Sequence, residues 1–246
     1  MKKRLVLLLL SSPLYAGTMN TYGQLMSVTM SSNTAAATGS ISVPQCVHGG
    51  QYNGTGTTIS ISPTNGNTLI VGFDISGQNS ANFTSLKDNN NNSFTQDNSG
   101  WIVPTTSNSH SFFHLSNVSG VTGVVTAFNT NTIYSVVICE VSGLAASPVD
   151  VMDNTGSYQT AVTAWTTPSV TTNHAVDIVF GTVGNTQGNA FSTSAPWTLG
   201  ATDDEAGSFD GAMVYQIVAS ATGYQPAGSC ASSYVSGVTA SYKATP

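Results

Sequence analysis

From Ser40 to the C-terminus, short runs rich in Val, Ile, Phe and Tyr alternate with clusters of Gly, Pro, Asn and Ser, and no stretch holds a helical apolar period. Turn signals recur roughly every 8 to 12 residues, the spacing of an all-β sandwich or barrel. The clearest strands run from Thr68 to Ile75, Ser111 to Leu115, Val121 to Phe128, Ile133 to Val141, Ala175 to Val183, Ala212 to Ala219 and Tyr234 to Lys243. Several are apolar at successive positions, so both of their faces must be covered. Asn53-Gly54, Asn65-Gly66 and Asp210-Gly211 accept positive φ and read as tight turns. The expected fold is all-β: a two-sheet antiparallel sandwich, jelly-roll or Ig-like, occupying residues 40–246.

Ahead of it, Met1-Lys2-Lys3-Arg4, the apolar run Leu5 to Leu10 and Leu14-Tyr15-Ala16-Gly17 follow the order of a secretory signal peptide, here residues 1–16. The apolar run is far shorter than the roughly 20 residues that cross a bilayer, so no membrane span is expected after cleavage. Residues 17–39, mostly small and polar, read as a polar leader or an added edge strand. The expected location is outside the cell or on its surface.

Cleavage removes three of the 5 basic residues, leaving Lys87 and Lys243 against 11 Asp and Glu, a net charge of −9. No arginine remains, and nucleic acid is excluded as a partner because neutralising phosphates takes clustered Lys and Arg. No Gly-rich loop joins a strand to a helix, which removes nucleotide binding as well. Charged residues are 7% of the chain, against about 25% in ordinary proteins. The surface is therefore neutral and hydrogen-bonding, suited to a glycan, a cell-surface polymer or copies of the chain itself.

Three cysteines in an exported chain suggest one disulfide and one thiol. Cys139 sits within Ile133 to Val141 and reads as a small buried hydrophobe. Cys46 and Cys230 flank the domain, and their pairing is expected if the terminal strands are neighbours. A faint duplication sets Thr68-Leu69-Ile70-Val71-Gly72-Phe73 against Val176-Asp177-Ile178-Val179-Phe180-Gly181, and Val118 to Gly123 against Val235 to Ala240. The succession Gly66 to Phe73, Ser85-Leu86-Lys87-Asp88-Asn89, Glu140-Val141-Ser142-Gly143-Leu144 and Trp197-Thr198-Leu199 loosely resembles uncharacterised β-sandwich modules of exported bacterial proteins and phage structural proteins. That resemblance covers most of the chain from about Ser40 and implies a fold, with no catalytic residue to carry over.

Candidate chemistry is sparse. His110 and His114 lie on one strand, about 13 Å apart at roughly 3.3 Å per residue, too far to share a metal ion, and read as exposed strand histidines. His48 and His174 stand alone in turns. Asp88, Asn90 and Asn92 alternate as in the start of a calcium loop, but Ser93 replaces the turn glycine and Ser99 the bidentate acid. An Asn-rich turn is the simpler account; no cofactor is expected, and calcium is the one ion this segment raises. Asp203-Asp204-Glu205 is the densest acidic cluster. Hydrolysis of a glycan would need two carboxylates flanking the bond, and Glu140 with Asp150 or Asp153 is the best set offered. No nucleophile elbow occurs. Trp101, Trp165, Trp197 and Tyr158, with Tyr22, Tyr52 and Tyr224, lie in or near loops, where aromatic rings either stack on sugars or plug the ends of a sandwich. The sequence therefore points to a non-enzymatic extracellular module that binds glycans or self-assembles. The rival expectations are a jelly-roll polysaccharide enzyme working through Glu140 and a structural subunit of a virion or surface filament.

Overall fold

A computed structural model of the protein describes residues 40–104, 108–203 and 209–246. The expected signal peptide and leader, and Asp204 and Glu205 of the acidic cluster, lie outside the described residues. The first half contains β1 (Ser42–Gly54), β2 (Thr58–Ser60), β3 (Thr68–Ser76), β4 (Phe83–Asp88), β5 (Thr95–Gln96), β6 (Asn108–Leu115), β7 (Gly123–Phe128) and β8 (Thr132–Ser142). The second contains β9 (Leu144–Met152), β10 (Ser157–Thr166), β11 (Val170–Thr171), β12 (Asp177–Asn185), β13 (Thr198–Asp203), β14 (Asp210–Val218), β15 (Gly223–Tyr224) and β16 (Ala227–Ala244).

All pairings are antiparallel, and the two halves share one wiring. The first half orders its large sheet β1-β8-β3-β6-β5 and its small sheet β2-β7-β4. The second repeats this as β10-β16-β12-β14-β13 with β11-β15, and β9 is an additional strand on β16. In the first half the first strand lies beside the last and the third beside the sixth, with the second and seventh paired on the facing sheet, which is the jelly-roll order; the second half keeps the same pairings with one strand fewer, having no counterpart of β4 among the described residues. The faint repeat in the sequence marks this duplication at β3 and β12. Its second part does not hold, because Val118 to Thr122 precede β7 whereas Val235 to Ala240 lie within β16, the counterpart of β8.

The two large sheets pack face to face and form the expected sandwich, while a smaller sheet covers the outer face of each. Ile70, Phe112 and Val137 meet Ile178, Phe180, Met213, Ala240 and Tyr242 between the large sheets. Val71, Phe73, Val136 and Ile138 instead face Ile59, Leu86, Val124 and Phe128 of the first small sheet. Val179, Val183 and Val214 face Val170 and the rings of Trp165, Phe191 and Trp197. Both faces of β3 and β12 are therefore covered, which accounts for their unbroken apolar runs, each fully buried side chain contributing about 1.5–3 kcal/mol. Across the central interface β3 faces β12, β8 faces β14 and β6 faces β16, the exchange that a two-fold arrangement generates.

Two local expectations are corrected. Asp210-Gly211 opens β14 and is not a turn; a Cβ on Gly211 would lie 2.3 Å from Ser135 Oγ, so the glycine permits close approach of the sheets. The disulfide joins Cys46 to Cys139, not to Cys230. The two partners stand directly opposite in the β1–β8 ladder. Because each jelly roll closes on itself, β1 and β16, the first and last strands among the described residues, belong to different sheets, and Cys230 is left as a half-buried thiol.

Candidate functional site

Of the three tryptophans expected to stack on sugars, two are buried and one is partly covered. Trp165 is 1% exposed and meets Phe191 edge-on at 5.9 Å, and Trp197 is buried in the same cluster. Trp101 is half-buried, its ring packed edge-on against Phe73, Phe83 and Phe113. Trp165 and Trp197 thus present no open ring face to solvent, while Trp101 is only partly covered.

Tyr158 is placed differently. Its ring lies nearly parallel to that of Tyr234, 6.4 Å between centroids and 13° between planes, and Tyr234 is 42% exposed. Tyr158 stands opposite Ser236 in the β10–β16 ladder, two residues beyond Tyr234. On β16 the same face carries Val238, Ala240 and Tyr242 into the central interface. β16 is 18 residues long and outruns that interface toward its N-terminal end, so the face that is core at Val238 is open at Tyr234. The register of β10 slips between Gln159 and Val162, where Ala161 takes φ 52°. A bulge with a left-handed non-glycine residue costs about 1–2 kcal/mol and re-aims the strand. No Asp, Glu, Lys or Arg occurs in 157–166 or 227–237. Thr160, Thr163 and Ser232 on these two strands are exposed, so this end of the β10–β16 pair is aromatic, hydroxyl-bearing and free of charged residues of its own.

Behind the rings, Ser236 ends a buried hydrogen-bonded chain. Asp74 accepts from His110 Nδ1, His110 Nε2 accepts the Ser236 hydroxyl at 2.8 Å, and Ser236 Oγ accepts from Asn108 Nδ2 at 2.8 Å. The second oxygen of Asp74 accepts from Thr182 Oγ1 at 2.7 Å. The connectivity is that of a Ser-His-Asp relay. Its setting is not: Ser236 is 1% exposed, His110 and Asp74 are fully buried, and the residues come from both large sheets. The chain is a polar tie across the central interface, and His110 is a core histidine, contrary to the exposed position its strand suggested. His114 is likewise paired, with Asp97, which also accepts from Tyr242.

The carboxylates singled out in the sequence fall into separate networks. Glu140 is buried in β8 and accepts from Gln45, from the Thr64 backbone and from Asn67. Burial alone would raise its pKa, but these donors together hold it below the ordinary value. Asp153 accepts from Thr155 and from the Gly156 backbone, closing the turn that leads into β10. Asp88 accepts from the backbone N–H of Asn90 and Asn92 and from the Asn92 side chain, while the Asn90 amide donates to Ser119 and Gly120. Its oxygens serve the turn, the arrangement of an Asn-rich hairpin. Asp150 contacts His174 and lies beside Asp177, a grouping the sequence hides because the three residues meet only when β9 and β12 flank β16.

Comparison of the chain with protein-family models, with curated proteins and with solved structures returned no match. The fold itself defines the molecule as a tandem pair of jelly rolls. Among the described residues no helix is long and apolar enough to cross a membrane, and the Cys46–Cys139 disulfide is compatible with an oxidising, extracellular setting.

Proposed function

We propose that the protein is a non-enzymatic, exported binding module that holds neutral glycan chains on the β10–β16 face, with Tyr158 and Tyr234 as its stacking residues. The observation that carries this reading is the paired, outward tyrosine rings on a face free of charge. Sugar rings offer apolar C–H faces to aromatic planes and hydroxyls to Ser, Thr and Gln, and an uncharged face suits a neutral polymer. Glu140, the carboxylate of the enzymatic alternative, is taken up by three donors and has no partner acid in its network. Glycan-array and affinity-electrophoresis measurements on the mature protein test the reading: Tyr234→Ala is expected to weaken binding about tenfold, the worth of one aromatic contact of about 1.5 kcal/mol. Undiminished binding by that variant, or no neutral glycan bound by the parent, would reject it.

A second reading, self-assembly, is favoured by one observation. β10 is an edge strand that carries no Lys, Asp, Glu or Pro to discourage pairing with another copy. The bulge at Ala161 interrupts that edge, which is why glycan binding ranks first. Light scattering separates the two readings, since assembly through β10 makes molecular mass depend on protein concentration.

A further inference from the structure

Asp177 is a buried carboxylate of the second jelly roll that receives no hydrogen bond from an N–H or hydroxyl donor among the described residues. It opens β12 and is fully buried; the group close enough to bond to it is the Asp150 carboxyl, and only by sharing a proton. Its cross-strand neighbour Lys243 offsets part of the charge but donates no hydrogen bond to either oxygen. A buried ionised carboxylate without donors costs several kcal/mol, so something must be supplied to it.

The direction in which Asp177 is aimed identifies what. One ligand atom each from Asp150, His174 and Asp177 lies within 4.8 Å of the other two. Asp150 is positioned by the Asn173 backbone N–H at 2.8 Å and the Asn173 amide at 3.2 Å, and His174 Nδ1 sits 2.9 Å from Asp150 Oδ1. The His174 side chain is 49% exposed and the Asp150 side chain 2%, so the group meets solvent on its imidazole side. Two carboxylates and an imidazole on one side, with water on the other, form an open three-ligand set of the kind that binds zinc and its neighbours. Purely oxygen-seeking cations such as calcium would leave the imidazole unused.

We propose that Asp150, His174 and Asp177 form a binding site for one divalent transition-metal ion of the zinc class. The ion stands between β9, the β11–β12 connection and the start of β12, and ties these elements to the end of β16. The site is distinct from the tyrosine face: Lys243 and Ser236 are seven residues apart on β16, roughly 23 Å along the strand at about 3.3 Å per residue.

The competing occupant is a single proton shared by the two acids. Burial and the neighbouring Asp150 push Asp177 up to about 7, so a proton can fill the gap where a cation does not. Chelator-treated mature protein at pH 7.5, titrated with Zn2+ by calorimetry and followed by thermal unfolding, decides between them. One equivalent of Zn2+ should bind and raise Tm by several degrees, Ca2+ should do neither at the same concentration, and Co2+ should give a visible absorption band. His174→Ala, at an exposed position, and Asp177→Asn, which removes the buried charge, should each abolish the Zn2+ shift while His48→Ala leaves it intact. No saturable Zn2+ binding by the parent, or binding that survives His174→Ala, would overturn the assignment. Should Asp177→Asn fail to fold, His174→Ala alone still decides it.

Discussion

Glu140 shows how a single side chain can look catalytic in a sequence and be structural in the fold. It alternates with Tyr134, Val136 and Ile138, but it is buried with both oxygens supplied by donors from Gln45, Thr64 and Asn67. Because its folded pKa lies below the ordinary value of 4.5, its stabilising effect is complete above that pH and is lost as pH falls through the folded value. Tm should therefore decline below pH of about 4.5, and Glu140→Gln should flatten part of that decline while costing about 1–3 kcal/mol at pH 7 through donors left facing an amide. An acid unfolding curve identical in parent and variant would refute this. His110 was half-legible in the same way. It shares a strand face with Phe112, a cue to burial, but its partner Asp74 is 36 residues away and only the β3–β6 pairing brings them together.

Among the elements, β3, β8, β12 and β14 were readable because layers on both sides force continuous apolar runs. β1 and β10 were not, since each is an edge strand whose polar residues resemble a loop. The disulfide is hidden in the sequence for a related reason: Cys46 pairs by strand order, which spacing does not reveal. Gly72 carries the clearest element-scale demand. A Cβ there would lie 2.9 Å from Met213 Sδ and 2.9 Å from Thr182 Oγ1, so the glycine lets β3 approach the second sheet. Gly72→Val should cost about 1–3 kcal/mol by overpacking, read as a lower urea midpoint. An unchanged midpoint would mean that the sheets separate freely at this position.

For the molecule as a whole, the packing of one jelly roll on the other decides cooperativity. The central interface mixes an apolar middle with the Asp74–His110–Ser236 tie, whose members come from β3, β6 and β16. Removing Asp74 deprives the buried His110 Nδ1 and Thr182 Oγ1 of their carboxylate acceptor, so Asp74→Ala should cost about 3–5 kcal/mol. Trp101 reports on the first half and Trp165 and Trp197 on the second. Fluorescence of single-tryptophan versions should thus show both halves weakened together, and a loss confined to the first half would argue against the tie. The tyrosine face and the Asp150 cluster both lie in the second half, on and beside β16, and neither was legible in sequence as a grouping: each depends on what a long strand passes along its length.

The duplicated wiring has one further consequence. In the alignment that sets Thr68 against Val176, Asp74 falls opposite Thr182, and these counterparts bond to each other across the approximate two-fold. Two identical chains could not do this, because an isologous contact would set acid against acid at that point. Carrying both copies on one polypeptide fixes their one-to-one ratio and lets the pair keep an acid on one side and a hydroxyl on the other.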